Sequence, residues 1–103
     1  MKKIINKKMY DTDKAILVDE YWNGLGSSDF RYFSEELYIT KRGEFFLYVS
    51  GGAMTNYAKS NGKSTWGSSE IIPLSPDEAY EWLEEYNKTE AIEEYFSDRI
   101  QEA

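Results

Sequence analysis

Between residues 44 and 49 apolar side chains alternate, with Phe45, Leu47 and Val49 on one parity and Phe46 and Tyr48 on the other. A period of two is the signature of an extended strand. The preceding segment, residues 29–40, carries enough Phe, Tyr, Leu and Ile to form a strand or two. Between them Lys41-Arg42-Gly43 reads as a tight loop, with Gly43 in the left-handed conformation that closes an antiparallel hairpin.

Around this hairpin the pattern is weaker. Residues 2–6, with the Ile4-Ile5 pair, read as a short strand, and Asp11-Thr12-Asp13 reads as the cap of a short helix through Ala15 to Val18. Residues 23–28 form a turn cluster of Asn, Gly and Ser. Residues 50–69 are rich in Gly, Ser, Asn and Thr, interrupted by Met54, Tyr57 and Trp66, which suggests an ordered loop with a short helix around residues 55–59. Residues 70–74 predict an edge strand, because Pro73 has no N–H for a ladder.

After Leu74 the period changes to that of a helix. Ser75-Pro76-Asp77-Glu78 is a start signal: Ser75 at the cap, Pro76 at the first helical position and Glu78 closing a capping box. Leu74 and Ala79 are placed to form a hydrophobic staple. Ala79, Trp82, Leu83 and Tyr86 then fall within about 100° of arc, with Asp77, Glu78, Glu81, Glu84 and Glu85 opposite. Asn87-Lys88-Thr89 interrupts the pattern. A second helix from about Glu90 turns Ile92, Tyr95, Phe96 and Ile100 inward and Glu90, Glu93, Glu94 and Asp98 outward. Arg99 falls inside the apolar arc, where it would snorkel or pair with Tyr95 or a sheet carboxylate.

The expected fold is therefore α+β: a small antiparallel sheet with a central aromatic hairpin, packed by two C-terminal amphipathic acidic helices. At 103 residues the chain fits one domain, sheet-rich over 1–74 and helical over 75–103. An aromatic content of 17% argues against disorder despite the net charge of -7. That charge is uneven: residues 75–103 hold ten acids against only Lys88 and Arg99. Such a surface favours a basic partner and disfavours nucleic acid or anionic membrane at that end.

Cysteine and histidine are both absent. This removes disulfides, thiolate metal sites, the commonest zinc ligand and the usual general base near neutral pH. No cofactor or metal is expected, and a cytoplasmic location fits a chain with no signal-peptide core or membrane-length apolar run. Gly62-Lys63-Ser64-Thr65 imitates the end of a phosphate-binding loop, but Tyr57 stands where the first glycine belongs and no apolar strand precedes it. Gly51-Gly52 suits a hairpin end or bulge better than a nucleotide site. Asp11-Thr12-Asp13 opens like a calcium loop, yet Ile16 replaces the turn glycine and Trp22 the bidentate acid. Neighbouring pairs such as Glu84-Glu85 and Glu93-Glu94 diverge by about 100° on a helix and do not converge on one ion. The hairpin aromatics lack the interleaved Lys and Arg of an RNA-binding sheet.

A resemblance extends these readings. Lys3-Ile4-Ile5-Asn6, Met9-Tyr10-Asp11-Thr12, Asp29-Phe30, Glu36-Leu37-Tyr38, Gly43-Glu44-Phe45-Phe46-Leu47-Tyr48, Gly51-Gly52 and Ile71-Ile72-Pro73-Leu74 together resemble a family of small acidic proteins. These are carried on plasmids, phages and integrative elements of Gram-positive bacteria, and they include anti-CRISPR inhibitors of type II-A Cas9. Lys7 departs from the glycine that often follows the Asn of the first strand, and Val49-Ser50 departs from a Gly-Glu-like approach to the glycine pair. The resemblance implies a non-enzymatic, stoichiometric inhibitor whose partner is Cas9 or its guide-RNA complex and which blocks guide loading or target-DNA binding. The partner-binding residues expected on the acidic face are Glu81, Glu84, Glu85, Glu90, Glu93, Glu94 and Asp98. The alternatives are a mobile-element accessory protein with another basic partner, a chain whose acids serve only solubility, and a metal-dependent nuclease acting on guide RNA.

Overall fold

A computed structural model describes residues 1–26, 28, 29, 31–51, 59, 60, 65, 66 and 68–103. The chain forms an α+β fold in which a four-stranded antiparallel sheet carries two C-terminal helices on one face and an N-terminal hairpin on the other.

The hairpin predicted around Gly43 is the centre of that sheet. Strand β4 (Phe33–Ile39) and strand β5 (Phe45–Gly51) pair from Ile39 opposite Phe45 to Phe33 opposite Gly51, and Gly43 sits at φ +82° in their turn. Strand β8 (Ser68–Leu74) adds to the other side of β5 as an edge strand, with Pro73 opposite Phe46. Strand β3 (Ile16–Trp22) forms the opposite edge. At the end of β5, Gly51 lies between Phe33 and Ser68, while Gly52 falls outside the described residues.

Strand β3 corrects the helix expected over Ala15 to Val18. The cap chemistry is present but closes a turn: Asp13 N donates to Asp11 Oδ1 at 3.0 Å and Ala15 N donates to Asp11 O at 3.0 Å. Beyond it, β-branched Ile16 and Val18 suit an extended chain. Pairing with β4 overrides the local helix signal, with a bulge between Leu17 and Asp19.

Strands β1 (Lys2–Ile5) and β2 (Lys8–Asp11) form a separate two-stranded hairpin. Tyr10 meets Phe46 edge-on at 5.4 Å between ring centroids and belongs with Phe46 and Ile71 to a second buried cluster. Phe46 is fully buried because this hairpin covers the sheet face that the helices leave open. A two-residue ladder joins β6 (Lys59–Ser60) to β7 (Thr65–Trp66). The short helix expected around 55–59 lies mostly outside the described residues, with Lys59 extended in β6, and so does most of the Gly62–Thr65 imitation of a phosphate loop.

Helix α1 (Pro76–Glu85) starts as its sequence predicts. Glu78 N donates to Ser75 Oγ at 3.1 Å and Ser75 N donates to Glu78 Oε1 at 2.9 Å, a capping box of about 1 kcal/mol. Leu74 and Ala79, the two ends of the staple, both join the main core. The helix ends in a Schellman motif: Asn87 sits at φ +55°, Asn87 N donates to Glu84 O, and Lys88 N donates to Leu83 O. This left-handed turn starts helix α2 (Thr89–Tyr95).

The core lies between the helices and the sheet. Leu37, Phe45, Leu47 and Val49 rise from the strands to meet Ala79, Trp82, Leu83, Ala91 and Phe96. Ile92, Tyr95 and Tyr86 pack at its margin. Ile100 does not join it and is 42% exposed. Helix α2 stops at Tyr95, Phe96 leaves helical geometry at φ -134°, and a 3-10 turn over Ser97–Arg99 redirects the chain. The carboxylate that Arg99 reaches lies on a helix and not on the sheet. Arg99 Nη1 lies 2.6 Å from Asp77 Oδ1 on helix α1, and the guanidinium lies over the rings of Phe96 and Tyr80.

Candidate functional site

The outward side of the helical layer carries the predicted acids. Glu81, Glu84 and Glu85 stand exposed on α1, opposite the buried Ala79, Trp82 and Leu83. Glu90, Glu93 and Glu94 stand exposed on α2, and Asp98 is exposed on the 3-10 turn rather than on a helix. The layer brings six of the seven together on two adjoining helices over one face of the sheet. Asp98 extends the set along the chain.

The two bases of this region are engaged elsewhere. Lys88 reaches Asp19 on β3 at 3.5 Å, and Arg99 reaches Asp77. Among the described residues none of the seven acids forms a salt bridge. The Glu84 carboxylate beside Tyr80, followed by burial, raises the Tyr80 phenol above its ordinary value. The remaining carboxylates face outward, where they attract cations through solvent.

A buried carboxyl group fixes the layer from below. Glu35 on β4 is 8% exposed and pairs across the sheet with Tyr21 on one side and Val49 on the other. Its Oε1 accepts from Trp82 Nε1 at 3.2 Å and from the Tyr86 hydroxyl at 3.0 Å. Tyr86 in turn stacks on Tyr21 with centroids 4.0 Å apart and meets Trp82 edge-on at 5.1 Å. Burial first, and then the charge and hydrogen bond of Glu35, push the Tyr86 phenol well above its usual range. The last turn of α1 is thereby held in one orientation, which sets the direction of Glu81, Glu84 and Glu85.

Sequence reasoning missed Glu35, although a signal was present. It shares strand parity with Leu37 and Phe33, so a buried Leu37 places Glu35 on the same face, and Trp82 and Tyr86 supply donors one helical turn apart.

On the opposite sheet face Glu20 and Glu36 stand directly across from each other in β3 and β4. Tyr38 donates its hydroxyl to Glu36 Oε1 at 3.1 Å. Its phenol is pushed up to about 12, by burial first, then by Glu36 and more distantly by Glu20. Among the described residues no group of three or more acidic side chains is arranged to hold a metal ion, and no helix is long and apolar enough to cross a membrane.

No family model, curated protein or solved structure matches the chain.

Proposed function

We propose that the protein is a stoichiometric inhibitor of type II-A Cas9 that applies its acidic helical layer to the basic nucleic-acid-binding surface of Cas9. Guide RNA and target DNA lie in positively charged channels of such enzymes. A rigid body with outward carboxylates can occupy the same surface in place of phosphates, and opposite charge speeds the encounter.

The observation that carries this reading is the set of seven exposed acids, Glu81, Glu84, Glu85, Glu90, Glu93, Glu94 and Asp98, none of which forms a salt bridge among the described residues, while Lys88 and Arg99 are directed to other partners. The motif resemblance set out above supplies the identity of the partner. Inhibition on this scheme needs no chemistry from the protein, and no cofactor. The acidic layer itself would not bind nucleic acid.

The test is Cas9 cleavage of target DNA with the protein added before or after guide loading. Inhibition at near-equimolar protein is expected. If it occurs only with early addition, guide loading is the blocked step; equal inhibition in both orders assigns the block to target-DNA binding. Guide RNA incubated with the protein and Mg²⁺ is expected to remain full length, and shortened RNA would favour a nuclease instead. Absence of inhibition in both orders across several type II-A enzymes overturns the proposal. A pull-down with another basic protein would then identify the accessory-protein alternative.

A further inference from the structure

The turn between β1 and β2 holds two successive residues in the left-handed region, Asn6 at φ +52° and Lys7 at φ +67°. Hairpins of this kind strongly favour glycine at the second position, because a Cβ there is strained. Strain maintained where glycine would relieve it points to a task for the side chain. Lys7 stands at the rim of an open groove of about 440 Å³.

Two tight turns build that groove. One side is Lys7, Lys8 and Lys14 from the N-terminal hairpin and the turn after it, and the other is Lys41 and Arg42 from the turn between β4 and β5. The Lys8–Glu44 ion pair joins the two sides. Asp11, the other acid in the lining, uses Oδ1 to accept from Asp13 N. Lys7, Lys14, Lys41 and Arg42 form no salt bridge among the described residues. The groove is therefore a positive site in a chain of net charge -7. The hairpin packs on Phe46, on the sheet face away from the acidic helices, and salt screens charges over about 10 Å.

We propose that this groove binds the phosphodiester backbone of a nucleic-acid strand. Lysine is depleted from the cores of protein interfaces but suits phosphate as a mobile point charge. The groove offers three such lysines, Lys7, Lys14 and Lys41, and Arg42 beside Met9, Ala15 and Thr40, with no aromatic ring among its described lining residues to anchor a protein partner. Contacts of this type are independent of base sequence. The proposal does not depend on Cas9 inhibition, since it concerns a different surface and is tested on the isolated protein.

The experiment is fluorescence anisotropy with a labelled oligouridylate at several salt concentrations, together with a thermal melt of each variant. The wild type is expected to bind at low salt, and log affinity should fall against log salt with a slope of about -3 for four phosphate contacts. Lys7→Gly should melt no lower than wild type and reduce that slope by about 0.7. The combined variant Lys7→Gly, Lys14→Gln, Lys41→Gln, Arg42→Gln should stay folded and bind at least about tenfold more weakly. Three results would overturn the proposal: no binding by the folded wild type, unchanged affinity and slope in the folded combined variant, or binding of labelled polyglutamate but not of oligouridylate. The last would assign the groove to an acidic protein.

Discussion

Trp82 on helix α1 donates its indole N–H to Glu35 on strand β4 across 3.2 Å, joining residues 47 positions apart. Tyr86 donates to the same oxygen, so a single buried carboxyl group satisfies two helix side chains and fixes the layer that bears the acidic face.

Replacing Glu35 therefore tests the attachment of that layer. Glu35→Ala leaves the buried Trp82 N–H without its acceptor and opens a small void, and should cost about 2–4 kcal/mol. Glu35→Gln keeps a carbonyl oxygen in nearly the same place and should cost about 1 kcal/mol. Urea unfolding midpoints measure both. Equal effects of the two substitutions would show that the acceptor oxygen does not hold the helix.

Alkaline stability follows from Tyr38. Its phenol titrates at about 12 in the folded protein against an ordinary 10.0, so the folded state retains a proton that the unfolded chain releases. The stabilisation is complete below pH 10 and is lost as pH rises through about 12. Tyr86 acts in the same direction. Urea midpoints should fall between pH 10 and pH 12, and Tyr38→Phe should make that fall shallower. Identical pH profiles for the wild type and Tyr38→Phe would contradict the role given to Glu36 and burial.

The parts legible in the sequence are those whose causes are local. Ser75, Pro76 and Glu78 start α1 through contacts within one turn, and Gly43 closes the central hairpin through its own φ. The helix apolar arc identified Ala79, Trp82 and Leu83 as core, and Pro73 marked an edge strand. The exposure of Glu81, Glu84 and Glu85 was legible as the complement of that arc, and that of Glu90, Glu93 and Glu94 as the complement of the second one, whereas Asp98 is exposed on a 3-10 turn outside either helix. Where the sequence misled, the cause was distant or ambiguous. Asp11 offers the same side-chain oxygen to a helix cap and to a turn, and only pairing with β4 decides for a strand. Nothing in the local pattern announces that Tyr10 will cover Phe46. Ile100 fits the helical period, but the chain leaves the helix at Phe96 before that period reaches it.

The most direct measurement compares Cas9 affinity at two salt concentrations for the wild type and for the variant in which Glu81, Glu84, Glu85, Glu93 and Glu94 are all Gln. These side chains are exposed and Gln matches Glu in helix propensity, so circular dichroism should show both helices intact. Exposed charges act through screened attraction, so the folded variant should bind at least about tenfold more weakly at low salt and lose most of its salt dependence. A folded variant that inhibits Cas9 with unchanged affinity and unchanged salt response would contradict the central role of the acidic layer.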